Sequence, residues 1–208
     1  MFLNAPVFHP DAILFDLEDA VAYAEKDSAR DLLCEAMAQL DFGTCRVFVR
    51  INSLHTPFGE EDVRAVVPAG IRYLRLAMCE TAADVQELDG LLDAVEAECQ
   101  IPSHSVKVQC SIETARGVLN AREIVAASSR VISLSFGAED YTRSMGTSRS
   151  KSAQELQFAR TYLPVVAAEA GISAIDTVWS ALDDQEGFEV EVRNARALGF
   201  SGKSCIHP

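Results

Sequence analysis

Short apolar runs rich in β-branched residues recur along the chain, most of them followed by a longer stretch whose apolar positions return every three or four residues, the pattern of repeated βα units. The runs predict seven strands, at residues 12–17, 47–52, 73–78, 106–112, 131–136, 174–178 and 204–206. Stretches at 26–39, 82–99, 115–127, 155–170 and 186–198 set apolar residues at helical spacing among Ala, Glu, Gln and Arg, and predict helices. Strands apolar on both faces that alternate with helices imply a parallel sheet covered by helices, either an open doubly wound sheet or a closed barrel. No glycine-rich dinucleotide fingerprint follows the first strand. Acidic residues stand just after several strand ends, where the loops of a barrel rim build a site.

The expected fold is therefore α/β, a (β/α)8 TIM-type barrel, as a single domain over residues 1–208 with no internal boundary, repeat or linker. Seven strands are one short of eight, and the last falls at the chain end with no helix behind it, so the barrel is expected to be incomplete. The most polar loop, 143–154, reads either as a mobile surface loop or as a lid or substrate-binding loop.

Composition narrows the partners. A chain of 208 residues that is 49% apolar and 24% charged has enough material for one sizeable core. Its formal net charge of -13 repels phosphate backbones and anionic membranes, which argues against nucleic acid as a partner. An anionic substrate must then be met by a local positive group, an Arg or a metal ion. The six cysteines include no C-x-x-C pair and the four histidines do not cluster with them, so a zinc site is not expected. Most of the cysteines lie in apolar surroundings and read as small core residues in a reducing compartment. No apolar run reaches membrane-spanning length, and Met1-Phe2-Leu3-Asn4-Ala5-Pro6 lacks the order of a secretory signal, so a soluble cytoplasmic protein is expected.

Three groups of residues can carry chemistry. Asp16-Leu17-Glu18-Asp19 closes the first strand with three carboxylates in four residues, and Lys26 and Arg30 on the next helix are candidate counter-charges. The acidic group reads equally as a helix N-cap cluster. Arg50 ends the otherwise apolar second strand, where a guanidinium must meet an anion, either Asp16 or Asp19 or a substrate carboxylate held bidentately. Glu113 and Asp140 follow the fourth and fifth strands. If those strands are neighbours, two hard oxygen ligands with water and substrate in the remaining positions suit Mg²⁺; otherwise the pair is two exposed loop acids.

In order along the chain, Phe15-Asp16-Leu17-Glu18-Asp19-Ala20-Val21, Glu25-Lys26-Asp27 with Ala29-Arg30, Val49-Arg50-Ile51-Asn52, Leu74-Arg75-Leu76 and Ile112-Glu113-Thr114 are followed by Phe136-Gly137-Ala138-Glu139-Asp140-Tyr141, Phe158-Ala159-Arg160, and Leu198-Gly199-Phe200-Ser201-Gly202-Lys203-Ser204 closing on Ile206-His207-Pro208. This series resembles the citrate lyase β-subunit and its relatives, the malyl-CoA and citramalyl-CoA lyases of the HpcH/HpaI aldolase superfamily. The resemblance implies a barrel enzyme of the oxo-acid lyase type that uses Mg²⁺ to cleave a citryl-, citramalyl- or malyl-thioester into an oxo acid and an acetyl thioester.

Arg50 would hold the substrate carboxylate, Glu113 and Asp140 would bind the metal, and Asp16, Glu18 and Asp19 would line the pocket. Glu113, Ala138 and Glu139 would contact substrate. The acyl group would be carried by CoA or an acyl carrier protein, and the enzyme would be a homo-oligomer, a trimer. Malate synthase-like condensation or thioester hydrolysis, and a non-catalytic subunit, are the alternatives. The chain has Leu76-Ala77-Met78 where the family usually has Leu-Pro-Lys, and the family's first strand and C-terminal extension fall outside it.

Overall fold

The computed structural model describes residues 7–150 and 152–206. The N-terminal run Met1 to Pro6, Lys151 of the polar loop, and His207 and Pro208 of the closing motif lie outside the described residues. The elements alternate as expected: β1 (Ala12–Asp16), α1 (Lys26–Gln39), β2 (Arg46–Ile51), α2 (Gly59–Val66), β3 (Tyr73–Leu76), α3 (Ala82–Glu98), β4 (Lys107–Ile112) and α4 (Ala115–Ala126). They continue with β5 (Val131–Phe136), α5 (Ala138–Ser144), α6 (Gln157–Glu169), β6 (Ser173–Asp176), α7 (Gln185–Ala197) and β7 (Gly202–Lys203).

The strands form one seven-stranded sheet in the order β1-β2-β3-β4-β5-β6-β7, and the described ladders are parallel. A doubly wound sheet reverses its strand order at a switch point. This one never does, so its winding is that of a TIM-type barrel with seven strands present. No described helix is long and apolar enough to cross a membrane.

The chain divides into two compact units, one comprising Met1–Ala77 and Gln86–Val108 and the other Met78–Val85 and Gln109–Pro208. In the first, β2 is buried on both faces through Val47, Phe48, Val49 and Ile51, and Leu33, Val63, Val66, Leu74, Leu88 and Leu92 pack as core. Burying each such side chain contributes roughly 1.5–3 kcal/mol, which is why this run has no polar alternation to betray a solvent face. In the second, Ile112, Val118, Ile124, Leu134, Phe136 and Leu163 are buried, with a further cluster of Ala167, Ala174, Ala195 and Phe200.

Three expectations need correction. The helices α2 and α5 occupy segments where no helix is predicted, because each is too short to show its periodicity. The last strand is Gly202–Lys203 rather than 204–206: Lys203 is a charged residue that pairs inside the fold, and it left the strand without an apolar signature. The polar loop begins after α5 and ends in a 3-10 turn at Gln154–Leu156.

Candidate active site

In the first unit, Asp16 is the last residue of β1 and stands opposite Arg50 in the β1–β2 register. Arg50 Nε donates to Asp16 Oδ1 at 2.7 Å and its Nη2 pairs with Asp16 Oδ2, so one edge of the guanidinium is held bidentately. Arg50 Nη1 lies 2.7 Å from Glu18 Oε2 and 3.9 Å from Asp19 Oδ2. The anion that meets Arg50 is therefore internal, and about a fifth of the Arg50 side chain is open to solvent (19%).

The loop after β1 is fixed from several sides. Asp16 accepts the N–H groups of Glu18 and Ala20. Lys26 Nζ donates to the carbonyls of Leu17 (2.8 Å) and Glu18 (2.6 Å), and Asn52 Nδ2 donates to Leu17 O. Arg30 is not a counter-charge of this loop: it pairs with Asp27, Glu61 and the buried Asp62. Nor do the acids cap α1, whose N-cap is Glu25 without a side-chain bond. Burial alone raises the Asp16 pKa, but the hydrogen bonds and charge of Arg50 and the two backbone N–H groups outweigh it and hold the carboxyl below its ordinary value.

In the second unit, the facing strands β4 and β5 carry buried polar residues at alternate positions. Gln109 Nε2 donates to Ser133 Oγ at 3.0 Å, and Ser111 and Ser135 share a hydrogen bond of 2.9 Å. With a period of two, the next rung along the ladder is Glu113 beside Gly137. A Cβ on Gly137 would stand 2.6 Å from Glu113 Cγ and 2.9 Å from Oε2, so the carboxylate fills the space that any other residue would need. Glu113 is 6% exposed, and its Oε1 accepts the Met78 N–H at 3.3 Å. Met78 itself stands in the left-handed region (φ 49°), half exposed after β3, at the position where the resemblance expects lysine.

Asp140 comes three residues after Gly137, in the first turn of α5, with Arg143 as its ion-pair partner one turn on. Ala138 N–H donates to Thr177 Oγ1 at 3.1 Å and Gly137 N–H to Ile112 O at 3.1 Å. Glu139 accepts from Arg149 Nη1 (2.7 Å), whose Nη2 reaches Val178 O (2.8 Å), so the polar loop is tied down at Arg149.

Two carboxylates, one buried against a glycine and one at the start of the following helix, are hard oxygen donors of the kind Mg²⁺ takes in small number beside water and substrate. No cluster of three or more His, Cys, Asp or Glu able to cage a metal occurs among the described residues. The residues present fit an open magnesium site. Cys79 and Cys110 are fully buried, and their mutual hydrogen bond together with burial pushes the Cys79 thiol far above its ordinary value, which makes it a core residue rather than a nucleophile.

Two features of this geometry were not read from the sequence. The polar rungs Gln109, Ser111 and Ser133, Ser135 are visible as alternation inside apolar runs and point along both strands to Glu113. The Thr177 and Arg149 contacts join segments distant in sequence and carry no local signal.

Residues 1–208 match the HpcH/HpaI aldolase/citrate lyase family. The chain is 47% identical over 208 residues to the citrate lyase subunit beta of Leuconostoc mesenteroides subsp. cremoris, covering 100% of this chain and 69% of that one. It is 35% identical over 199 residues to a (3S)-malyl-CoA thioesterase of Cereibacter sphaeroides (strain ATCC 17025 / ATH 2.4.3), covering 95% of this chain and 65% of the relative. The solved structure of the citrate lyase beta subunit from M. tuberculosis complexed with oxaloacetate and magnesium superposes with a TM-score of 0.82 at 32% identity, covering 100% of this chain and 86% of that one. A match over the whole chain, carried by both sequence and fold, leads to one assignment: the chain belongs to the HpcH/HpaI aldolase/citrate lyase family, a family of lyases.

Proposed function

We propose that this chain cleaves the carbon–carbon bond of a citryl-, citramalyl- or malyl-type thioester, giving an oxo acid and an acetyl thioester, with Mg²⁺ held by Glu113 and Asp140. The observation that carries this reading is the packing of the Glu113 carboxylate onto Gly137, at the entry to the helix that bears Asp140. The relative crystallised with oxaloacetate and magnesium supports it.

In the reaction, the hydroxyl proton leaves, its oxygen becomes a carbonyl as the carbon–carbon bond breaks, and the bonding pair passes to the carbon next to the thioester carbonyl, as its enolate, which takes a proton there to become acetyl. The chemistry supplied by bound Mg²⁺ is Lewis acidity at the hydroxyl or keto oxygen and the adjacent carboxylate of the substrate. Glu113 and Asp140 hold that ion. Arg50 grips a substrate carboxylate, presented in one orientation by Asp16 and Glu18. The Ala138–Glu139 segment contacts substrate, although the Ala138 N–H is already committed to Thr177.

A free CoA thioester is favoured over an acyl carrier protein, because a chain of net charge -13 repels an acidic carrier. The free thiols fit a reducing cytoplasm. We extend the family likeness to a homo-oligomer, a trimer, which light scattering would test.

Purified protein incubated with Mg²⁺ and each of the three CoA thioesters should release oxo acid from at least one. Arg50→Ala and Asp140→Ala should each lower kcat by about a hundredfold or more with an unchanged circular dichroism spectrum. Silence on the whole panel would sink the assignment. The likeness to a malyl-CoA thioesterase favours a second reading, hydrolysis or malate synthase-like condensation, in which free CoA thiol appears. Failure to bind either Mg²⁺ or an oxo acid by calorimetry would favour a non-catalytic subunit.

A further inference from the structure

We propose that Thr177 is a positioning residue for Asp140, serving as the N-terminal cap that α5 lacks in its own sequence. The inference rests on the magnesium reading above. A helix begins with N–H groups that no helical carbonyl precedes, and the side chain of the N-cap residue ordinarily answers one of them. The N-cap of α5 is Gly137, which has no side chain to offer, and the close approach of Glu113 forbids one there. The two requirements conflict: packing of Glu113 demands glycine where the helix needs a Ser, Thr, Asp or Asn.

The cap comes from elsewhere in the second unit. Thr177, just past the end of β6 and 2% exposed, accepts the Ala138 N–H through Oγ1 at 3.1 Å. Its position is fixed independently of α5. Lys203 Nζ donates to Thr177 O at 2.7 Å and to Asp176 Oδ2 at 2.8 Å. Asp176 is gripped bidentately by Arg160 at 3.2 and 2.8 Å, and Arg160 is gripped in turn by Glu191.

One residue further along the chain, Val178 O is tied through Arg149 to Glu139. Two consecutive residues after β6 therefore hold the two residues that precede Asp140. The ion-pair partner of Asp140, Arg143, lies in the same helix, three residues on.

The test compares wild type, Thr177→Val, Thr177→Ser and Asp140→Asn by calorimetric Mg²⁺ titration and by amide hydrogen exchange at Ala138. Thr177→Val should bind Mg²⁺ about tenfold more weakly and lose Ala138 protection. Its kcat should recover at saturating Mg²⁺, and Thr177→Ser should restore both affinity and protection. Asp140→Asn should lose binding outright. If Asp140→Asn loses binding while Thr177→Val keeps wild-type affinity, the positioning role is overturned and the magnesium reading stands. If Asp140→Asn binds as wild type does, both fall. Should Thr177→Val not fold, Thr177→Ala takes its place, and a Thr177→Ser protein that binds as weakly as the alanine variant would assign Thr177 to packing alone.

Discussion

Asp16 and Gly137 show how single positions are chosen by what lies against them. The Asp16 carboxyl is held below its ordinary pKa in the folded chain, so it contributes stability above its unfolded value, near 3.9, and loses that contribution as pH falls through the lower folded value. Asp16→Asn should therefore lose less stability than wild type between about pH 5 and pH 2, read from urea midpoints across that range. An equal loss in both proteins would show that the Asp16 carboxyl is not held below its ordinary value in the folded chain. At Gly137 the φ of -106° is open to any residue, so the reason for glycine is the neighbour rather than the backbone. Gly137→Ala sets a methyl 2.6 Å from Glu113 Cγ, and should cost about 1–3 kcal/mol in stability by chemical denaturation.

At the scale of elements, strands buried on both faces were legible to within a residue or two, as β2 and β5 show, because their apolar runs are long and rich in β-branched residues. The helices α1, α3, α4, α6 and α7 were legible from periodicity for the same reason of length. α5 carries no legible period because it has only seven residues, and its first turn is occupied by Glu139 and Asp140, whose acidic pair reads as chemistry as readily as a helix start. Arg50 was identifiable as a cation in need of an anion, but its pairing with Asp16 depended on strand register, which no single run of residues encodes.

The same holds for Arg160, which no local pattern links to Asp176 and Glu191. That network joins α6, β6 and α7, with Lys203 of β7 also on Asp176. Removing one member strands the others in a buried setting. Arg160→Met should cost about 3–5 kcal/mol in urea unfolding, and adding Glu191→Leu should recover part of it. A double variant no more stable than the single one would contradict this view of the network.

The whole molecule sets a field that its site must work against. With a net charge of -13, an approaching CoA thioester is repelled until local charge takes over. Added salt screens that repulsion beyond about 10 Å at 0.1 M, so KM for such a substrate should fall as ionic strength rises at fixed Mg²⁺. A KM that climbs with salt would mean that the local cations dominate the approach. The strand order adds a consequence for synthesis. Because β1 to β7 line up in the order in which they are made, each new strand finds its partner already present. Loop closure costs little more for one unit than for the next, since doubling a loop adds only about 0.6 kcal/mol. A chain emerging from the ribosome can therefore add each described strand after β1 to the edge of the strand made just before it.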